Sequence, residues 1–174
     1  MFKVTWEGRP RPAERPRARF SADKRTYFLY NPPTYQEYQK TLVEFFNKYQ
    51  EDESLKELFD KKQLVYGLSV KLIFRIKHKG KIPFYGLRPD IDNLYKAVVD
   101  ALFKSNVNQI ENGYWVDKNG EFYLDADGNK TIKYKQKIDD SRVIHTELLK
   151  LRVDSEAEEG FTITVRNVGK EDIE

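Results

Sequence analysis

The chain has 174 residues, of which 39% are hydrophobic and 34% charged, and its net charge is +3. This length is typical of one domain with a substantial core, so we expect a single domain over residues 1–174. The absence of cysteine excludes disulfides, thiolate zinc sites and cysteine nucleophiles. No apolar run has the length of a membrane span, and the first residues lack a signal-peptide pattern. We therefore predict a cytoplasmic protein with no membrane partner.

The charges are strongly segregated along the chain. Residues 1–30 carry eight basic and three acidic side chains, and residues 61–89 carry eight basic ones and no acid. Residues 147–174 carry four basic and eight acidic side chains. Segregation of this kind is typical of a phosphate-binding face, although ordinary solubilising charge is an alternative explanation. The two basic segments favour nucleic acid as the partner.

The first half of the chain contains both strand and helix patterns. A first strand is predicted at about 2–6, and the proline- and arginine-rich residues 8–19 are predicted to form a loop, because they suit neither a helix interior nor a central strand. Apolar residues at three- and four-residue steps predict a helix over 34–49. Residues 51–62 form a second short helix or a charged loop. Alternating apolar residues predict a long strand within 64–78, with one solvated face.

The second half adds one further main helix and an insertion. Its regular elements are predicted as a helix over 91–103 and strands over 142–153 and 161–168. Between them, residues 106–137 contain the hairpin-turn dipeptides Asn119-Gly120 and Asp127-Gly128, which predict a small inserted β-meander. We find no internal repeat. The predicted fold is therefore α+β: a mixed β-sheet with two main helices and an inserted meander.

The acidic start of the second main helix, within residues 88–102, is the most informative segment. Asp90 lies at or just before the N-cap, and Asp92, Lys96 and Asp100 are spaced by four, so they share one face. Asp90 and Asp92 would project from the same helix end, where backbone N–H groups favour anions. A purely structural explanation is also open. Asp is a common cap, and Asp92 with Lys96 is a common i,i+4 pair.

A second acidic pair, Asp139-Asp140, precedes the strand over 142–153. If that strand enters beside the helix, one of these carboxylates comes next to Asp90 and Asp92. Converging carboxylates repel one another without a cation, and hard oxygen ligands suit Mg²⁺ or Mn²⁺, which also contact substrate phosphate. Lys96 would then stabilise transition-state charge or orient the attacking water. The alternative is that the pair is only a turn before a strand.

These residues resemble the RusA-type Holliday junction resolvases, small endonucleases borne by phages and prophages. The resemblance rests mainly on Asp90-Ile-Asp92-Asn93-x-x-Lys96 and the later Asp139-Asp140, together with Gly8-x-Pro10, Arg15-Pro16-Arg17 and Lys150. It implies a RusA-like fold and a homodimer that cuts four-way DNA junctions with Mg²⁺ or Mn²⁺ in a bacterial cell. The roles implied are metal ligation by Asp90, Asp92 and Asp140, with Asp139 beside them, catalysis by Lys96, and support by Asp100 and Asn93. The departure is the spacer of 38 residues between Asp100 and Asp139, where the family usually has a short connection.

The DNA-binding surface is predicted from the basic segments, from the start of the helix, and from the end of the strand that follows the acidic pair. Its residues are Arg15, Arg17, Arg19, Lys77, Lys79, Lys81, Arg88 and Lys150. Tyr27, Phe28 and Tyr30 lie near the arginines and are candidates for stacking on unpaired bases.

The predicted function is metal-dependent resolution of four-way junctions by paired symmetric nicks, in DNA recombination and repair. Hydrolysis would leave 5′-phosphate and 3′-hydroxyl ends. A general branched-DNA or flap nuclease would share this chemistry but not the substrate. A non-catalytic nucleic-acid-binding protein, in which the acids are caps and ion-pair partners, is the alternative from a different class.

Overall fold

The structure is a computed structural model that describes residues 1–23 and 25–172. The helices are α1 (Pro33–Asn47), α2 (Glu53–Leu58) and α3 (Ile91–Lys104). The strands are β1 (Phe2–Glu7), β2 (Arg17–Ser21), β3 (Thr26–Tyr30), β4 (Leu68–Lys77), β5 (Gln109–Tyr114), β6 (Ile132–Gln136), β7 (Val143–Val153) and β8 (Gly160–Asn167). Within these described residues, short 3₁₀ turns occur at four places, including 140–142 directly before β7.

The centre of the fold is a four-stranded mixed sheet in the order β1-β8-β4-β7. Strand β8 pairs antiparallel with both β1 and β4, whereas β4 and β7 are parallel. The parallel pair requires a crossover connection, which α3 supplies. Together with the helices this sheet makes an α+β fold, as the sequence predicts.

The hydrophobic core lies between one face of the sheet and the two long helices. In β4, Leu72 and Phe74 are buried while Lys71 is exposed, so the strand has one solvated face as predicted. The helices contribute Phe46 from α1 and Val98 from α3 to the same core cluster. None of the described helices is long and apolar enough to cross a membrane.

The segment predicted as a loop over 8–19 is a loop only in its first part. Strand β2 begins at Arg17 and pairs antiparallel with β3, so residues 17–30 contain a hairpin that the sequence did not indicate. This two-stranded sheet is separate from the central sheet, and both of its strands are edge strands. Prolines are tolerated beside such a strand, because they are excluded only from the interior of a sheet.

The predicted insertion is present as a β element between α3 and β7. Strands β5 and β6 form an antiparallel stem, and isolated bridges between Val116 and Phe122 and between Leu124 and Lys130 extend it. The expectation of no internal repeat was wrong. Residues 114–121 and 122–129 form the same turn twice, eight residues apart.

The repeated turn is built by an aspartate in each copy. The Asp117 carboxylate accepts hydrogen bonds from the backbone N–H groups two and four residues ahead, at 2.8 and 2.9 Å, and Asp125 does the same at 3.0 and 2.8 Å. Three backbone hydrogen bonds then join the copies in a ring. Trp115 N donates to Thr131 O, Thr131 N to Tyr123 O, and Tyr123 N to Trp115 O. The insertion is therefore closed on itself.

The base of the insertion is fastened by Asn108, which is fully buried. Its side-chain Nδ2 donates to Phe103 O at 2.9 Å and to Ile138 O at 3.0 Å, and its Oδ1 accepts from Ile138 N at 3.0 Å. The backbone N–H of Lys137 donates to the carbonyl of Asn108 at 2.7 Å. The two ends of the insertion are thus held together, and the chain leaves Ile138 directly into Asp139 and Asp140.

Candidate active site

The connection between β4 and α3 runs back along the outer edge of β7. Phe84 forms an isolated antiparallel bridge with Leu151, Tyr85 N donates to Lys150 O at 3.0 Å, and Arg152 N donates to Pro83 O at 2.7 Å. This edge pairing fixes the path of the chain towards Asp90, the residue that precedes α3.

Lys150 holds the last part of this connection in place. Its Nζ donates to Leu87 O at 2.7 Å and to Pro89 O at 2.8 Å, and lies 5.4 Å from the ring centroid of Tyr85. The Tyr85 hydroxyl donates to Arg88 O at 3.0 Å. Lys150 was predicted as a DNA contact. In this structure its ammonium is hydrogen-bonded to the loop before Asp90, an arrangement that positions the start of α3.

Two carboxylates at the start of α3 have no partner among residues 1–23 and 25–172. Asp90 is the N-cap residue, with an extended backbone, and its side chain makes no capping hydrogen bond. Asp92 lies in the first turn and is exposed. Within the described part of the chain, neither carboxylate is hydrogen-bonded or ion-paired. The explanation of Asp92 as the ion-pair partner of Lys96 is therefore not what the structure shows.

Lys96 instead pairs with the residue one turn further along. Its Nζ lies 3.2 Å from Oδ1 of Asp100, whose side chain is 19% exposed while that of Lys96 is 61% exposed. Lys96, Asp100 and Asp92 line one open pocket, and Asp140 lines it from the turn before β7. The rest of the lining is Asn93, Tyr95, Val99 and Ser141.

The two adjacent acids before β7 have different surroundings. Hydrogen bonds from Ser141, from its hydroxyl and from its backbone N–H, hold the pKa of Asp139 below its usual range. The Ser141 N to Asp139 Oδ1 distance is 2.9 Å, so Asp139 caps the 3₁₀ turn. Asp140 faces the pocket. Burial raises the pKa of Tyr95, and the negative charges of Asp140 and then Asp100, which line the same pocket, add to this effect.

Asp90 faces a different depression on the surface. That depression is lined by Asp90, Asn93, Arg88 and Pro89 together with the loop residues 9–13. Asp90 precedes the helix and has an extended backbone, so helical spacing does not set its direction relative to Asp92, and the two residues border different pockets. Among residues 1–23 and 25–172 there is no group of three acidic, histidine or cysteine side chains arranged as a metal site. The structure therefore brings Asp92 and Asp140 to one pocket but does not bring Asp90 there.

The depression beside Asp90 reveals two arginines that the sequence reasoning missed. Arg9 and Arg11 line it, and the backbone fastens this loop to α3, since Ala13 N donates to Asn93 O at 2.8 Å. Arg9 is ion-paired at 3.2 Å with the buried Glu159, whereas Arg11 has no ion pair within the described residues. The alternation of arginine and proline was a usable signal, because proline keeps the chain extended and successive arginines on one side.

The predicted DNA-binding residues other than Lys150 fall into two groups. Two of them already have acidic partners: Arg17 is 3.2 Å from Glu14, and Lys77 is 3.0 Å from Glu156. The others, apart from Lys150, are exposed and without an ion pair in the part of the chain that the structure describes. These are Arg15, Arg19, Lys79, Lys81 and Arg88.

A mixed α+β domain in which carboxylates and arginines without partners among the described residues lie side by side has the features of an enzyme acting on a phosphate-containing substrate. The family model for the endodeoxyribonuclease RusA matches residues 7–117, which is more than half of the chain. The protein belongs to the RusA family of endodeoxyribonucleases. No curated protein and no solved structure matches the chain significantly. The family match includes Asp90, Asp92 and Lys96 but ends before Asp139 and Asp140.

Proposed function

We propose that the protein is a metal-dependent endonuclease that resolves four-way DNA junctions by paired symmetric nicks. The observation that carries this proposal is the pocket in which Asp92, Lys96 and Asp140 meet, in a chain of the RusA family. Two acids that line one pocket beside an exposed ammonium form a site that can take both a cation and a phosphate.

Mg²⁺ or Mn²⁺ fits the chemistry of these donors. Such ions are commonly held by one or two carboxylates, with the remaining positions filled by water and substrate phosphate. Asp92 and Asp140 would hold the ion, with Asp90 and Asp139 as the neighbouring acids. The bound metal would polarise the scissile phosphate and lower the pKa of a bound water.

The remaining groups of the site would bind and orient the DNA strand. The ammonium of Lys96 is held by Asp100 at the pocket wall, where it can face the negative charge that increases on the phosphate in the transition state. Arg11 and Arg88 lie on the other side of the helix start, beside Asp90, where they can bind phosphates that flank the cleaved one.

Paired cleavage follows if the protein is a homodimer. A four-way junction has two-fold symmetry, and a two-fold dimer presents two identical sites to two equivalent strands. Each site would then nick one strand and leave a 5′-phosphate and a 3′-hydroxyl. We place this activity in DNA recombination and repair.

The adjacent acids Asp139 and Asp140 provide a matched test. The wild-type chain, Asp140→Asn and Asp139→Asn are incubated with a synthetic mobile four-way junction, with Mg²⁺ and with EDTA. We expect Asp140→Asn to cut at least about a hundredfold more slowly, because a ligand charge is lost. Asp139→Asn should cut at nearly the wild-type rate, because asparagine also caps a turn well.

Other outcomes distinguish the alternatives. Equal rates for wild type and Asp140→Asn would remove Asp140 from the site. Cleavage of flaps and three-way branches as fast as of four-way junctions would make the protein a general branched-DNA nuclease. Tight junction binding without cleavage of any substrate in Mg²⁺ or Mn²⁺ would make it a non-catalytic DNA-binding protein.

A further inference from the structure

The β2–β3 hairpin has two chemically different faces. Residues directly opposite each other in an antiparallel pair lie on the same face of the sheet. Arg17 lies opposite Tyr30 and Arg19 opposite Phe28, so these residues share one face. The other face has no charge. It consists of the pairs Ala18–Leu29 and Phe20–Tyr27.

The uncharged face is uncovered in the structure. Phe20, Tyr27 and Leu29 are 53%, 73% and 73% exposed, respectively. The rings of Phe20 and Tyr27 lie side by side, with centroids 5.1 Å apart and an interplanar angle of 57°. An isolated two-stranded hairpin cannot bury such a face by itself, and a contiguous exposed apolar surface commonly marks a binding site.

The charge of the hairpin indicates what covers this face. Residues 15–30 contain five basic side chains and one acidic one, which gives a net charge of +4. Two copies of the hairpin packed face to face would bring these charges together, whereas a polyanion is attracted to them. Only residues 14–16 separate β2 from the loop 9–13 that borders Asp90, so the hairpin begins within roughly 14 Å of the end of that loop.

We propose that Phe20 and Tyr27 stack on bases at the branch point of the DNA, while the arginines of the hairpin bind the adjoining phosphates. Base faces inside a continuous duplex are already stacked, but a branch interrupts that stacking and makes base faces accessible. The hairpin is therefore the element that distinguishes branched from linear DNA. This inference rests on the proposed function, since it requires a branched substrate.

The test compares binding to a four-way junction and to a linear duplex of the same sequence, in EDTA, over a series of salt concentrations. The variant Phe20→Ala/Tyr27→Ala should bind the junction roughly tenfold or more weakly and the duplex nearly as well as wild type, because one or two stacked bases are lost. Its salt dependence should not change, because no charge is removed. Arg17→Gln/Arg19→Gln should instead weaken binding to both DNAs and reduce the slope of log K against log salt by about two units.

Two further variants control for folding and for aromatic content. Phe20→Tyr/Tyr27→Phe keeps both rings and should retain the junction preference. Tyr114→Ala/Phe122→Ala removes a similar ring pair, 5.8 Å apart, from the insertion and should also leave the preference unchanged. A 2-aminopurine base placed at the branch point should change its emission with wild type but not with Phe20→Ala/Tyr27→Ala.

The inference would be overturned if Phe20→Ala/Tyr27→Ala kept the wild-type ratio of affinity for the junction to affinity for the duplex. Dissociation of a wild-type dimer by this variant, with DNA selectivity intact, would mean that the face contacts a second copy instead. If the wild-type protein itself shows no preference for the junction, the substrate of the proposed function fails as well. Junction cleavage by wild type together with unchanged selectivity in the variant would refute only the role of the hairpin.

Discussion

The two ends of helix α3 carry polar clusters of opposite character. At the C-terminal end, the side chain of Asn108 is completely buried. It donates hydrogen bonds to Phe103 O and Ile138 O and accepts one from Ile138 N. At the N-terminal end, Asp90 and Asp92 are exposed and have no partner among the described residues. One helix therefore ends in a closed hydrogen-bond network and begins with two free charges.

This difference separates structure from function. A buried polar group whose hydrogen bonds are all made contributes to stability, and its loss leaves its former partners unsatisfied. Free carboxylates at a helix start contribute little to stability and are available for a ligand. Substitutions at the C-terminal end should therefore change the free energy of unfolding, and substitutions at the N-terminal end should change the rate of cleavage.

The largest expected effect is that of Asp92→Asn. We expect junction cleavage to fall by about a thousandfold or more, because the substitution keeps the size of the side chain but removes a metal-binding charge. Junction binding in EDTA should hold or tighten slightly, since one charge that repels phosphate is lost. The free energy of unfolding should change by less than about 1 kcal/mol. Cleavage near the wild-type rate would mean that the free carboxylate is not a functional group.

Lys96→Ala is expected to lower turnover by roughly a hundredfold, with little change in metal affinity, if the ammonium stabilises transition-state charge. Single-turnover cleavage with saturating protein measures this directly. Lys104→Ala, an exposed lysine at the other end of the same helix, is the matched control and should cut normally. A Lys96 that only pairs with Asp100 would cost a few tenths of a kcal/mol of stability and leave the rate unchanged.

Asn108→Ala tests the closed end of the helix. Three side-chain hydrogen bonds are lost and two buried carbonyls and one N–H are left without these partners, so the free energy of unfolding should fall by about 3 kcal/mol. Urea denaturation measures this, with the exposed Asn112→Ala as a control that should match wild type. Cleavage well below the unfolding temperature should remain within a few-fold of wild type. A larger loss of activity would mean that the network also positions Asp140.

The sequence predicted the central sheet and the long helices because burial follows periodicity there. Leu72 and Phe74 alternate with polar residues on a half-buried strand, and the apolar positions of α1 recur at helical steps. The β2–β3 hairpin was missed because both of its faces are exposed, so burial does not follow periodicity there. Polar and apolar residues alternate in β2, but β3 has aromatic residues on both faces, and the prolines before β2 favoured a loop.

For the site, spacing predicted the shared face of Asp92, Lys96 and Asp100 correctly. Spacing did not predict that Lys96 pairs with Asp100, or that Asp90 borders a separate depression, because these depend on the extended backbone of the N-cap residue. The structural role of Asn108 could not be predicted from the sequence either. A single asparagine in a polar stretch looks the same in sequence whether it is buried or exposed.

The smallest effect on chemistry is expected from removing the insertion itself. Replacing Gly113–Lys135 by a short Gly/Ser link keeps Asn108 and its bonds to Phe103 and Ile138, so the chain should still enter Asp139 and Asp140 correctly. The removed part is closed by its own turns, and its aromatic rings are partly covered by its own lysines, as where Lys130 Nζ lies 3.8 Å from the ring centroid of Phe122. We expect metal-dependent nicking of branched DNA within a few-fold of wild type, measured beside the oligomeric state by sedimentation. A deletion variant that is folded and keeps the wild-type oligomeric state, yet cuts no branched substrate, would show that the insertion belongs to the active site and that the two ends of α3 are not functionally separate.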